Sequence, residues 1–295
     1  MSCVTVNAYA KINLSLDVVG KRADGYHLMD MVMQSVSLCD TLQIARTEKD
    51  VSFSCSDQSL PQGSDNLAVR AASAFFKAAG IAGGASVRLI KRIPSGAGMA
   101  GGSADAAAVL VGLNALYETA LSQEELCALG LTLGADVPFC LTGGTARVTG
   151  IGEVIEPLPN LPPCFFAAVK PLFSISTKEA FARFDCGEIA ARPDTSAVCR
   201  AVRKGDLILL GQNLCNVFEQ TETAPVLQKV KQTLLSCGAY GAVMTGSGSV
   251  IYGLFPNRKQ AEAAADAVRR FGKESLVFTP VPHGASIASK HQTVE

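Results

Sequence analysis

The sequence predicts an α+β protein with two domains. Three observations carry this expectation. Its N-terminal part alternates apolar and polar residues with many β-branched side chains. A strand, a glycine-rich loop and an Ala-rich helix follow one another over residues 86–117. A proline cluster, Pro157-Leu158-Pro159-Asn160-Leu161-Pro162-Pro163, then interrupts the chain before strands and helices resume. With 295 residues and 48% hydrophobic content, the chain is long enough for one large or two medium domains with a substantial core.

Residues Cys3–Ala8, Ile12–Val18, Met31–Leu38 and Thr41–Arg46 read as strands, and Asp50–Ser54 as another. Asp65–Ala79 has helical spacing. Ser86–Lys91 alternates like a strand, and Ala104–Tyr117 reads as a helix. Ser122 and Glu125 form a capping box that opens a helix to Leu131, and a short helix starts near Asp136. Thr145–Thr149 and Glu153–Ile155 return as strands. Prolines 157–163 cannot sit within a regular element, so the boundary falls there, giving domains 1–157 and 158–285. Beyond it, Cys164–Val169 is a strand, Ser176 and Glu179 cap a helix, and Pro225–Cys237 is helical. Ala242–Met244 and Val250–Phe255 are strands, Asn257–Phe271 is a helix, and Leu276–Pro280 is a strand. The polar end, 286–295, reads as a flexible tail.

Composition excludes several functions. Lys and Arg balance Asp and Glu, 26 against 26, so no basic footprint for nucleic acid or an anionic membrane exists. There is no Trp, and aromatic content is 6%. The start of the chain lacks a signal-peptide pattern, and no apolar run reaches transmembrane length. Ten scattered cysteines without a C-x-x-C pair read as reduced packing residues, and the three histidines have no metal spacing, so no metal ligands are assigned. These readings point to a cytoplasmic protein.

The densest chemical signal is Pro94-Ser95-Gly96-Ala97-Gly98-Met99-Ala100-Gly101-Gly102-Ser103-Ala104. Small residues let backbone N–H groups approach an anion, and the following helix adds its N-terminal donors and dipole. The Walker pattern fails, because no Lys-Ser or Lys-Thr follows the glycines. Gly96, Gly98 and Gly101 match G-x-G-x-x-G, but the second strand and acidic residue of a dinucleotide fold do not follow, since a capped helix starts at Ser122 instead. A dinucleotide-dependent oxidoreductase and a non-catalytic nucleotide-binding module remain open readings of this loop.

Four further groups stand out, each open to two readings. Lys11 lies out of phase with Ile12, Leu14 and Leu16: a solvated edge charge, or a cation for a carboxylate or phosphoryl group. Tyr26 and His27 follow the Asp24-Gly25 turn as surface residues, or as partners for a planar base. Asp136 is an N-cap, or an acid that takes a proton from a substrate hydroxyl. Met244-Thr245-Gly246-Ser247-Gly248-Ser249 is a hairpin turn, or a second loop closing over the phosphate site.

In this order, the motifs resemble the GHMP kinase superfamily (galacto-, homoserine, mevalonate and phosphomevalonate kinases). Pro94–Ser103 resembles its second motif and Met244–Gly248 its third. Ala8-Tyr9-Ala10-Lys11-Ile12-Asn13-Leu14, Gly25-Tyr26-His27 and Gly134-Ala135-Asp136-Val137-Pro138-Phe139 resemble more narrowly the branch acting on a cytidyl-methylerythritol in the non-mevalonate isoprenoid pathway. The resemblance runs from about Ala8 to Phe255. It implies an N-terminal domain like ribosomal protein S5 domain 2, a C-terminal α/β sandwich domain, and an active site between them. It implies transfer of the γ-phosphoryl of ATP, with Mg2+, to the substrate's 2-hydroxyl. By position, Asp136 would be the general base and Lys11 its partner, with Asn13 orienting the substrate and Tyr26, His27 and Phe181 forming the cytosine pocket. Pro94 to Ala104 would bind ATP, with Lys91 and Asn66 lining its site. Ser103 would touch the β-phosphate or its magnesium, and Thr245, Gly246, Ser247 and Gly248 would close the loop. Ser95 and Ala97 stand where relatives often carry Met and Gly, so Ala97 adds one Cβ to the cradle. The implied partners are small molecules only, without nucleic acid or membrane, on a monomer or weak homodimer.

Overall fold

The computed structural model of the protein describes residues 2–291. In chain order the elements are β1 (Cys3–Lys21), β2 (His27–Thr47), β3 (Val51–Cys55), α1 (Leu67–Ala79), β4 (Gly84–Ile90), α2 (Gly101–Tyr117), α3 (Gln123–Leu131), α4 (Val137–Thr142), β5 (Thr145–Gly150) and β6 (Val154–Leu158). They continue with β7 (Phe165–Pro171), α5 (Thr177–Cys186), α6 (Thr195–Lys204), α7 (Leu207–Asn213), β8 (Cys215–Asn216), α8 (Pro225–Ser236), β9 (Gly241–Met244), β10 (Ile251–Phe255), α9 (Arg258–Val268), β11 (Gly272–Phe278) and β12 (Ser286–His291). The first sheet runs β12-β1-β2-β4-β3, with β5 and β6 branching from β2 and β8 joined to β1. The second is the antiparallel order β11-β7-β10-β9.

Four of the expected strands are two. β1 and β2 form one long antiparallel ribbon, from Cys3 opposite Ala45 to Lys21 opposite His27. Register shifts between Tyr9 and Lys11, Asn13 and Ser15, and Val18 and Gly20 bend it, and such bulges re-aim side chains locally. The gap between the first two expected strands, Tyr9 to Lys11, is bulged strand.

Helix α2 threads the first core. Ala104, Ala106, Ala107, Ala108, Leu110 and Leu113 are all buried, and small side chains let the helix approach β1 closely. At Gly112 a Cβ would come within 2.5 Å of Ile44 Cδ1, so this crossing admits only glycine without rearrangement. The helix begins at Gly101, three residues earlier than its sequence implies. Ala100 precedes it in the left-handed region, φ 56°, and no side chain caps it.

Three further expectations are corrected. Residues 286–291, read as part of a flexible tail, form β12 on the free edge of β1, where pairing satisfies their backbone; residues 292–295 lie outside the described ones. Pro157 sits inside β6, opposite Ala146; β6 pairs only with β5, and an edge strand tolerates the missing N–H. Helices α6 and α7 went unread, although Asp194 and Asp206 cap them and Gly205 ends α6. The boundary expected after residue 157 falls at the end of β6, but β8 and β12 both return to the first sheet.

Candidate active site

A cleft of about 560 Å³ is bounded by β1, β2 and the 94–103 loop on one side and by α5 and the 246–248 loop on the other. The two glycine loops meet at its floor. Gly98 has φ +73°, and a Cβ there would lie 2.1 Å from Thr245 O, so only glycine fits. Thr245 Oγ1 donates to Gly98 O (3.3 Å), and Val250 N donates to Ala97 O (3.2 Å). The Cβ of Ala97 is accommodated, because this residue is buried against the core. Gly101, Gly102 and Ser103 open α2 at the cleft wall without a side-chain cap, which leaves their donors and the helix dipole to an anion.

Lys11 and Asp136 face each other across this cleft. Lys11 is buried, not a solvated edge charge, and its Nζ lies 3.9 Å from Asp136 Oδ2. Its backbone N donates to Met99 O (3.2 Å), which fastens β1 to the phosphate loop. Asp136 precedes α4 but makes no capping hydrogen bond, so its side chain is free; it is 35% exposed against 5% for Lys11. An accessible acid beside a buried cation is the arrangement expected where a proton leaves and negative charge develops.

Behind the loop lies a second charged group. Lys91 Nζ donates to Asp40 Oδ2 (2.5 Å) and to Asp105 Oδ2 (2.9 Å), and all three side chains are buried. Asp40 Oδ1 also accepts from the backbone of Arg92 and Ile93, whereas Asp105 Oδ1 has no partner. Burial pushes the Asp105 carboxyl well above the usual range; Lys91 opposes this and Asp40 adds to it. Burial also acts against charge on Lys91, but Asp105 and Asp40 together hold it above the ordinary lysine value.

At the other end, the His27 ring stacks on Phe181 with centroids 4.4 Å apart and planes 20° apart, while Phe218 meets Phe181 edge-on. His27 Nε2 is 2.7 Å from Asp185 Oδ1, and Lys21 Nζ donates to Asp185 Oδ2 (2.6 Å). The bonds from Lys21 and then His27 hold the Asp185 carboxyl below the usual range.

Known proteins resemble this chain over nearly its full length. The model described as GHMP kinases N terminal domain matches residues 66–144, and GHMP kinases C terminal matches residues 199–274. A 4-diphosphocytidyl-2-C-methyl-D-erythritol kinase of Clostridium kluyveri is 40% identical over 94% of this chain and 99% of its own. One from Acetivibrio thermocellus is 39% identical over the same shares. The chain belongs to the 4-diphosphocytidyl-2-C-methyl-D-erythritol kinase family. A crystal structure of a 4-(cytidine 5'-diphospho)-2C-methyl-D-erythritol kinase superposes with a TM-score of 0.80 at 36% identity, covering 94% of this chain and 98% of that one. A homoserine kinase from Cytophaga hutchinsonii, at 19% identity and a TM-score of 0.77 over 97% of each chain, shares the fold.

Within this 4-diphosphocytidyl-2-C-methyl-D-erythritol kinase fold, most of the sequence-derived residues converge. Lys11, Asp136, Phe181, Asn66, Lys91, Pro94 to Ser103, and Gly246 to Gly248 all border the cleft. Asn66 does so while capping α1 through Ala68 N (2.9 Å). Five residues do not line the cleft. Ala104 is buried behind the loop, and Thr245 is buried beneath it, accepting from Asn13 N (3.0 Å). Asn13, expected to orient the substrate, uses its Oδ1 to accept from Lys11 Nζ (2.8 Å) and Gly246 N (3.1 Å), so it orients the lysine and the second loop. Tyr26 is 61% exposed on the β1–β2 turn, outside the cleft, because the turn bonds through Arg22 and Asp24 fix its backbone with the ring outward. His27 is brought to the site through Phe181 rather than as cleft lining. Asp185 went unread, although an acid one helical turn beyond Phe181 was a usable signal.

Proposed function

We propose that this kinase transfers the γ-phosphoryl group of ATP to the 2-hydroxyl of 4-diphosphocytidyl-2-C-methyl-D-erythritol, giving the 2-phosphate and ADP in the non-mevalonate route to isoprenoid precursors. The observation that carries the reading is the Lys11–Asp136 pair, 3.9 Å apart, beside a glycine loop that opens a helix. The triphosphate lies along Pro94–Ser103, its negative charge met by backbone N–H groups and the α2 dipole. Asp136 accepts the proton of the attacking hydroxyl, and Lys11, aimed by Asn13, offsets charge on the transferring phosphoryl. Both act by position and charge, which is what phosphoryl transfer mainly requires.

Magnesium is held chiefly by nucleotide phosphates with one or two protein oxygens. The Ser103 hydroxyl at the cleft wall fits such a shared site. The ion would neutralise phosphate charge. Asp105 also lines the cleft, with Lys91 on its Oδ2 and its buried Oδ1 unpartnered.

The cytosine lies at the His27–Phe181 end, and Asp185 orients the imidazole. Since an ionised carboxylate only accepts, Nε2 carries the proton towards it. His27→Ala is expected to weaken binding of the cytidyl substrate by roughly tenfold and leave ATP affinity nearly unchanged. Titration calorimetry with each ligand checks this, and equal weakening of both would refute the pocket. We also place the protein in the cytoplasm as a monomer or weak homodimer; its ten cysteines are free. The reading as a whole is tested by ADP release with the cytidyl compound, mevalonate and homoserine in parallel. Turnover confined to the cytidyl compound supports it, and turnover of either of the others instead rejects it.

A further inference from the structure

Three lysines have their ammonium groups in the interior. Lys11 faces Asp136, and Lys91 faces Asp40 and Asp105. Lys170, at the end of β7, is different. It is 5% exposed, and every group its Nζ bonds is neutral: Phe173 O (2.7 Å), Ser249 Oγ (2.8 Å), Ser174 Oγ (3.1 Å) and Pro171 O (3.4 Å). Among the described residues it has no ion-pair partner. The charged groups nearest to it come from β11. Glu274 is opposite Lys170 in register but exposed, and Lys273 beside it is also exposed. Burial and then Lys273 draw the Lys170 pKa below the ordinary lysine value, and Glu274 offsets this only in part. Buried charges are normally paired, and an unpaired one is retained at a cost that some other state of the molecule must offset.

The groups around Lys170 say which state. Ser249 follows Gly248 in the second glycine loop, is fully buried, and donates to Phe173 O (2.7 Å) while accepting from Lys170. Ser174 Oγ lies 3.2 Å from where a Cβ on Gly96 would sit. Gly96 and Gly248 both line the cleft, so the ammonium sits one residue behind the wall where the two loops converge. In a poorly solvated interior, charge acts over such separations with little screening.

We propose that Lys170 is a positioning residue for the phosphate end of the cleft: it fastens the 173–174 segment to the second glycine loop, and its uncompensated positive charge is met by the triphosphate of bound nucleotide. The inference rests on reading this cleft as the ATP site.

The experiment compares dissociation constants of ATP and adenosine for the wild-type protein, Lys170→Met and Lys170→Arg. Adenosine carries no phosphate, so a purely structural role would weaken both ligands alike. Lys170→Met is expected to weaken ATP on the order of tenfold while adenosine changes by less than about twofold. Lys170→Arg keeps the charge and is expected to retain most of the preference for ATP. If Lys170→Met does not fold, Lys170→Gln keeps a donor without the charge and is read by the same ratio. In the wild type, the ratio is also expected to fall as alkaline pH removes the Lys170 proton, and to fall less in Lys170→Arg, whose guanidinium keeps its charge while Lys11 and Lys91 still titrate. Equal loss of ATP and adenosine, or no loss of either, would overturn the proposal while leaving the ATP site standing. Wild-type protein that binds no ATP would overturn the reading of the cleft, and the proposal with it.

Discussion

Asp136→Asn is expected to lower turnover roughly 10²–10⁴-fold, the contribution usual for a positioned general base. Asparagine keeps the size and polarity of the side chain, so the Lys11 neighbourhood stays filled. Asp136 makes no capping bond to α4, which removes the commonest structural reason for an aspartate at that place to matter. The variant should therefore fold normally and bind ATP and the cytidyl substrate with affinities within a few-fold of the wild type. Steady-state ADP release together with equilibrium binding of each ligand separates the two effects. A loss in turnover below about tenfold would withdraw the base assignment, and a matching loss in binding would move Asp136 from chemistry to substrate positioning.

Lys91→Met is expected to have the largest effect on stability. It leaves Asp40 and Asp105 buried within one pocket without the ammonium that both bond. Removing one partner of a buried ionic group typically costs about 3–5 kcal/mol. For a chain of this size that corresponds to a fall in melting temperature on the order of 10 °C. The cost should depend on pH. The folded-state pKa of Asp105 is raised above the ~3.9 of an unfolded aspartate, so the folded chain holds its proton more tightly. The stability linked to this group is present in full below about pH 4 and is lost as pH rises through the folded value. Without Lys91 that value rises further, so both chains lose this stability alike up to about pH 8, where the wild-type carboxyl ionises, and the deficit of the variant should widen above it. Urea unfolding at about pH 7 and about pH 9.5, without nucleotide, checks this. A deficit below about 1 kcal/mol, or one that narrows with rising pH, would contradict it.

Local chemistry made much of the molecule legible. The capping boxes at Ser122 and Ser176 mark helices that start where their sequence says. The glycine loop and its helix are recognisable because small residues in that density serve little besides close approach of backbone to a ligand. What escaped depends on distant partners. Lys11 lies in a strand where most lysines are solvated, and only the bulges around it and the second loop bury it against Asp136. Lys91, Asp40 and Asp105 are joined across 51 and 14 positions of sequence, beyond the reach of any local pattern. Tyr26 shows the opposite failure: an aromatic beside His27 reads as a base partner, and turn geometry directs it to solvent. Residues 286–291 are polar enough to resemble a frayed end, yet β1 offers them an unpaired edge.

The most direct test of the account is the phosphorus spectrum of the product formed from ATP, magnesium and the cytidyl-methylerythritol substrate. Carbon 2 of 2-C-methyl-erythritol bears a methyl group and no hydrogen, so a phosphate on its hydroxyl has no proton three bonds away. The account predicts one new phosphomonoester signal without proton splitting, formed in step with ADP and slowed at least about a hundredfold with Asp136→Asn. A proton-coupled signal from a neighbouring hydroxyl, or ADP released without any new phosphomonoester, would contradict it.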